Sequence, residues 1–252
     1  HLFNRHFGVA VNASQLSTLE PVFLGNSDRS DYQYTNTAIE MAALVEANFN
    51  NKFLLGVTLF NEKYEYDNGA TDAAVPLNLD VNKTLYTIYH SYNNIEYFYQ
   101  YLSGLNIESN LQYVRANNLF LDDFVVGRVD FKFFKRYKTK LNLANRLRVG
   151  LSTNSSSPFA PFAVDNNVNL RGVGNVVDRG TAVVILNTEL RHTWLEKKWL
   201  TIQGNAFVDM GTWRNPGGSL NDLISPQNFR LHPGVGIRLI NKRIVNAVLR
   251  LD

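Results

Sequence analysis

The sequence predicts an all-β fold, a transmembrane up-and-down antiparallel β-barrel with about eleven strands in this chain of 252 residues. Three observations predict it. Apolar and polar residues alternate with period two along most of the chain. Short and long connections between the alternating segments follow one another in strict order. No run of about 18 apolar residues exists to form a membrane helix. Mean hydropathy is −0.19, so a membrane protein of this composition must spread its apolar surface by alternation.

The alternation is clearest in the second half. Leu141, Leu143, Leu147, Val149 and Leu151 share one face of a segment whose other face carries Asn142, Arg146, Arg148 and Gly150. Leu200, Ile202, Gly204, Ala206 and Val208 alternate with Thr201, Gln203, Asn205, Phe207 and Asp209. Val129, Phe131 and Phe133 alternate with Arg128, Asp130, Lys132 and Phe134. Strands are expected over residues 3–13, 37–49, 52–67, 83–92, 95–114, 121–137, 139–153, 180–194, 199–211, 228–240 and 243–252. Several exceed both the 9–11 residues of a tilted span and the usual globular strand of about 5–6.

Short turns are expected at Asn50-Asn51, Asn93-Asn94, Lys138-Thr139, Glu196–Lys198 and Asn241–Arg243. Long loops are expected at 14–36, 68–82, 115–120, 154–179 and 212–227. An outer-membrane barrel has this asymmetry, with short periplasmic turns and long external loops. Lys52, Lys135, Arg136, Lys138, Lys140, Lys197, Lys198, Lys242 and Arg243 gather near the short turns. There they either meet lipid headgroups or form a solvated rim. Periodicity alone leaves open which face points inward; the many long polar-faced strands favour a wet lumen and an apolar exterior.

Composition narrows the chemistry. Cys is absent, so no disulfide framework or thiolate site exists. A net charge of +3 is too mild to point to nucleic acid. The five His are His1, His6, His90, His192 and His232, and none stands at a metal-ligand spacing. His192 and Trp194 suit an interfacial girdle. Tyr97, Tyr99 and Tyr101 form a period-two stripe, read as packing rather than as a binding ladder. Neither a Gly-x-Ser-x-Gly elbow nor a phosphate loop occurs. No catalytic residue, cofactor or metal site is expected.

Three local patterns sit in the last part of the chain. Leu170-Arg171-Gly172 lies inside the loop 154–179. Asn187-Thr188-Glu189-Leu190-Arg191 follows on the next strand. Phe207-Val208-Asp209-Met210-Gly211 comes one hairpin later. With Gly234–Arg238 and Val248–Asp252, this segment resembles the barrel end of the bacterial surface antigen family, the eighty-five-kilodalton outer membrane protein superfamily. That family includes the barrel assembly factor, the translocation and assembly module, and two-partner secretion transporters. Val173 departs from the family's usual aromatic after Arg-Gly.

The resemblance implies that the loop folds back into the barrel and that Arg171 meets Asp209, with Glu189 as a further partner. Alternation places Asp209, Glu189 and Arg191 on the lumen face, and a guanidinium fork suits a carboxylate. The resemblance also implies a sixteen-stranded barrel of which residues 1–252 supply strands five to fifteen; a smaller complete barrel is the other possibility. It further implies residence in the bacterial outer membrane, contact with outer-membrane lipids, and a role in inserting or secreting client proteins, with possible accessory subunits. A barrel that anchors a fused hydrolase and a passive pore are the alternatives.

Overall fold

The computed structural model describes residues 6–24, 28–73, 75–98, 100–116, 122–164, 170–172, 178–244 and 248–251. In chain order its strands are β1 (Phe7–Leu24), β2 (Asp28–Asn48), β3 (Asn51–Gly69), β4 (Asn78–Phe98), β5 (Tyr101–Ala116), β6 (Phe124–Tyr137), β7 (Leu141–Ser152), β8 (Phe162–Val164), β9 (Asp178–Gly180), β10 (Ala182–Glu196), β11 (Leu200–Arg214), β12 (Phe229–Asn241) and β13 (Val248–Leu251). Eleven of them form one up-and-down antiparallel sheet, in the order β1-β2-β3-β4-β5-β6-β7-β10-β11-β12-β13. β8 and β9 make a separate two-stranded ribbon within the connection from β7 to β10.

The burial pattern is inverted relative to a water-soluble protein. Met41, Val57, Ile88, Leu111, Val129 and Val149 are exposed, Met41 by 63% and Ile88 by 53%. The register carries this apolar surface from strand to strand, through Met41↔Val57, Ile88↔Leu111 and Val129↔Val149. The opposite face buries polar groups, with Asp130 and Asp209 at 1% and Gln203 at 0%. An exposed apolar surface this continuous needs a nonpolar solvent, and a polar interior is that of a wet or loop-filled lumen. The two faces follow from the period-two pattern of the sequence.

Turn chemistry explains several of the short connections. Asn48 Oδ1 accepts from the backbone N–H groups of Asn50 and Asn51, at 3.0 and 2.9 Å. Asn241 Oδ1 accepts from the Arg243 N–H at 2.9 Å. Asn suits such turns because its side chain replaces a backbone partner. Lys138 turns β6 into β7 with φ 52°, in the left-handed region.

Two connections differ from the sequence reading. Residues 14–36 are not a long loop: β1 and β2 stay paired from Ser14↔Ala38 to Leu24↔Asp28. The apolar alternation fades there because the hairpin continues beyond the apolar belt, where neither face needs to be greasy. Thr35, Tyr34 and Tyr32 still favour strand. Likewise Asn93-Asn94 is not a turn. Asn93 pairs with Asn106 and Asn94 with Leu105, and β4 runs on to Phe98↔Tyr101. Gly104 adopts φ +118° opposite Ile95, and a Cβ there would lie 2.0 Å from the Asn94 carbonyl oxygen. The ladder with β5, with the Asn93 N–H bonded to the Asn50 carbonyl at 2.9 Å, thus outweighs the local preference of an Asn pair for a turn. The tyrosine stripe is broken as well, since Tyr97 is in the last residues of β4, Tyr101 begins β5, and Tyr99 lies outside the described residues.

The 68–82 loop is shorter than read, with β3 extending to Gly69 and β4 starting at Asn78. Residues 117–120 of the 115–120 loop, and Val173, lie outside the described residues. Between β11 and β12 the chain forms two short 3-10 turns, Leu220–Ile224 and Pro226–Asn228.

If the apolar face meets lipid, Ile88→Arg at the middle of β4 should cost about 2–4 kcal/mol. Reversible denaturant unfolding in lipid vesicles measures this. An unchanged midpoint would remove lipid from that face.

Candidate functional site: a loop latched to the lumen wall

The connection from β7 to β10 turns back over the inner face of β10 and β11. Leu170 is its apolar anchor. It is buried with Phe162 and Val164 of the loop ribbon and with Val183, Ile185 and Trp213 of the wall. Gly211 makes that seat possible. A Cβ at Gly211 would lie 2.9 Å from Leu170 Cδ1 and 3.2 Å from Val164 Cγ1. The sequence pattern Phe-Val-Asp-Met-Gly therefore provides a bare patch of backbone two residues beyond the acid.

Arg171 is the polar anchor. Its Nε donates to Asp209 Oδ2 at 2.6 Å and its Nη2 donates to Oδ1 at 2.7 Å, the bidentate fork. The Arg171 backbone N–H donates to Asp209 Oδ2 at 3.0 Å. Nη1 donates to Glu189 Oε2 at 2.6 Å. The guanidinium carbon also lies 3.5 Å from the centroid of the Phe207 ring. One cation is thus held by two carboxylates and a π face, all from β10 and β11. Gly172 leaves this contact with φ +81°, beside His232 on β12.

The register explains the convergence. Ile185 pairs with Gly211, Asn187 with Asp209 and Glu189 with Phe207, so Phe207, Asp209, Glu189 and Gly211 share the inward face within three successive rows. Asp209 is almost fully buried. An unpaired carboxylate there would be expensive, and removing one member of a buried pair typically costs about 3–5 kcal/mol. Glu189 has further partners. Arg191 Nε donates to its Oε1 at 2.6 Å, Arg250 Nη2 to its Oε2 at 2.9 Å, and Arg238 Nη1 stands 3.8 Å from Oε1.

The same loop is held on the far wall too. Phe159 stacks on Tyr64 of β3 at 3.9 Å between centroids and meets Tyr32 of β2 edge-on at 5.5 Å. Arg179 of β9 pairs with Glu20 of β1. Its neighbour Asp178 pairs with Arg230 of β12 at 3.1 Å. The loop therefore bridges β1–β3 and β10–β12. Sequence reasoning missed Phe159, Arg179 and Glu20. Glu20 and Tyr32 sit on the β1–β2 hairpin, part of which reads as loop, Tyr64 sits on β3, and no local pattern marks a contact between residues 159 apart.

Among the described residues no group of three or more His, Asp or Glu side chains is placed to hold a metal ion. The arrangement is a mechanical latch: desolvated ion pairs and apolar anchors that hold one segment inside an antiparallel barrel wall.

A wall of this kind carrying a lumen loop is the architecture of outer-membrane barrels, and comparison with solved structures gives the same fold. The chain is similar to CdiB from Escherichia coli, with 13% identity and a TM-score of 0.61 over 94% of this chain and 44% of the other. BamA from Haemophilus ducreyi lacking POTRA domains 1–3 is similar at 13% identity and TM-score 0.66, over 96% of this chain and 60% of that one. CdiB from Acinetobacter baumannii is similar at 12% identity and TM-score 0.59, over 94% and 41%. At this identity the likeness shows a fold shared with the CdiB and BamA structures. This chain spans about two fifths to three fifths of the length of those structures. No family model and no curated protein matches the sequence.

Two measurements probe the latch. Arg171→Ala and Asp209→Ala should each speed protease cutting in the 154–179 loop, and the double variant should be no worse than the single ones, with a coupling energy of about 0.5–3 kcal/mol. Additive effects would mean that the two side chains act apart. Gly211→Val should loosen the same loop while leaving both charges in place, because the new side chain occupies the Leu170 seat. Wild-type protection in that variant would show the seat to be dispensable.

Proposed function

We propose that this chain forms barrel wall and lumen loop of an outer-membrane protein insertion or translocation factor. It works on client outer-membrane or secreted polypeptides, in contact with outer-membrane lipids and with accessory subunits. The observation that carries this reading is the loop anchored across the lumen, by Arg171 to Asp209 and Glu189 on one wall and by Phe159 and Arg179 on the other. A passive pore gains nothing from a loop tied to both walls through desolvated ions. A polypeptide-handling barrel needs its lumen occupied when idle and a defined element to keep the wall in register. The likeness in fold to CdiB and BamA supports the same reading, as do the sequence patterns around Arg171, Glu189 and Asp209. No step here involves bond chemistry; the work is done by exchange of non-covalent contacts.

The test is made in cells that produce this barrel as part of its full-length protein. Replacing it with Arg171→Ala or Asp209→Ala, at equal membrane levels, should lower folded outer-membrane proteins or secreted client several-fold. Unchanged client levels combined with altered ion conductance would replace this reading with a pore.

A further inference from the structure

The lysines near the short turns are not distributed evenly around the wall. Lys52, Lys63, Lys83, Lys132 and Lys242 each pair with a carboxylate, on Glu46, Asp80, Glu62, Glu108 and Glu196 in turn. The other lysines are Lys135, Lys138, Lys140, Lys197 and Lys198. None of them pairs with a carboxylate among the described residues. All are exposed, and all belong to two connections: the end of β6 with its turn into β7, and the turn from β10 to β11. These two turns are neighbours. β7 and β10 are paired as far as Leu141↔His192, and the Thr193 N–H donates to the Lys140 carbonyl at 2.8 Å. Glu196, the acid beside them, is taken up by Lys242 at 2.6 Å. By contrast, the tip of the β4–β5 hairpin carries Glu96, Tyr97 and Phe98 and no cation.

The lysines also adjoin the apolar outer face without a break. Lys135 stands in an outward row with Leu143, Leu190, Ala206 and Val235. The next outward row toward the short turns still carries Tyr137, Leu141 and Ile237, with His192 and Gly204 between them. The Trp194 ring lies over Gly204, in the space that a Cβ would take. The Lys135 ammonium lies over the Tyr137 ring, 5.2 Å from its centroid. Its stem thus runs along apolar surface and carries the charge toward the turns, as a lysine does at a membrane boundary. Tyr137, Trp194 and Trp199 are themselves exposed, and amphipathic rings favour the headgroup level of a bilayer. A merely solvated rim would neither place a lysine inside the apolar rows nor set three exposed rings beside it.

We propose that the β6–β7 and β10–β11 turns form a binding site for anionic phospholipids of the leaflet that the short turns meet. Lys138, Lys140, Lys197 and Lys198 take the headgroup phosphate, and Lys135 reaches the same level from the apolar belt. Tyr137, Trp194 and Trp199 lie against the glycerol and the upper acyl chains. Clustered lysines next to a bilayer attract anionic lipid in this way. Lipid fits the surface better than a soluble acidic protein, because a phospholipid presents charge and then hydrocarbon in the same order as the wall. Anionic lipid is therefore held on one arc, from β6 to β11, and not at the β4–β5 hairpin. The site needs only a bilayer around the barrel, so it goes beyond the translocation reading and stands whether or not that reading does.

The test uses the full-length protein in phosphatidylcholine vesicles that contain a small share of lipid with brominated chains, either phosphatidylglycerol or phosphatidylcholine. Bromine quenches nearby tryptophan, and the signal of Trp194 and Trp199 is isolated by difference from a variant carrying Trp194→Phe and Trp199→Phe. Brominated phosphatidylglycerol should quench that signal at a several-fold lower share than brominated phosphatidylcholine, with the preference falling as salt rises. Lys138→Gln, Lys140→Gln, Lys197→Gln and Lys198→Gln together should bring the two lipids level. Lys52→Gln, at the β2–β3 turn, should leave the preference intact. Folding of each variant is checked by heat-modifiable gel mobility. Should the fourfold variant misfold, Lys197→Gln with Lys198→Gln carries the test, with a reduced preference expected. Equal quenching by the two lipids in the unaltered protein, an undiminished preference in the lysine variant that folds, or its loss in the Lys52 variant would overturn the proposal. Inorganic phosphate that abolishes the preference, where chloride of equal ionic strength does not, would show a site for free anions and overturn the lipid assignment. Equal quenching together with crosslinking of Lys198 to a soluble polypeptide would give the patch to a protein partner instead.

Discussion

Each strand of the wall satisfies its backbone donors and acceptors on its neighbours, and this requirement governs the rest of the structure. A chain in hydrocarbon has no water to bond its peptide groups, so the antiparallel ladder must run unbroken from β1 to β13. Once the ladder is continuous, the pleat alone divides the side chains into two faces. The apolar set meets the surroundings and the polar set meets the lumen. The ladder also accounts for the two places where local preference loses. Asn93-Asn94 stays extended, and the stretch after Ser14 stays paired, because each adds backbone hydrogen bonds to a ladder already in register.

The inward face then faces a problem that the outward face does not. Asp130, Glu189 and Asp209 are buried carboxylates, and burial of a lone charge is costly. The structure meets it with guanidiniums, whose planar forks can serve two carboxylates at once. Arg171 does so from a loop, so the same interaction that neutralises Asp209 also fixes the loop. The apolar seat of Leu170 over Gly211 and the ring of Phe207 beneath the guanidinium exclude water from that contact. Ion pairs shielded in this way resist salt far better than exposed ones.

Much of this was legible without coordinates, because period-two alternation is a local property. The residues of β7 and β11 show their faces directly, and Asp209 and Glu189 fall on the polar side by counting. The Leu170-Arg171-Gly172 pattern stood out within its loop. What escaped were features with no local mark. The β1–β2 hairpin continues where its apolar alternation is broken, with Val22 and Tyr32 buried among aromatic rings instead. The loop touches β2 and β3 through Phe159 and β1 through Arg179. Glu189 collects Arg238 and Arg250 from strands that lie far along the chain.

The sequence by itself determined that the chain is all-β, which residues share a face, and where most of the tight turns fall, since each depends on neighbours one to four residues apart. The tertiary structure alone decided which rows of the wall stand level with one another. Register across strands is set by the summed hydrogen bonding of whole ladders, and only that alignment brings Arg171, Phe207, Asp209 and Glu189 together. The gathering of arginines around Asp130 and Glu189 on the lumen face is likewise invisible in a net charge of +3. It arises because folding sorts the charges by face and strand, and charge balance is then judged locally rather than over the whole chain.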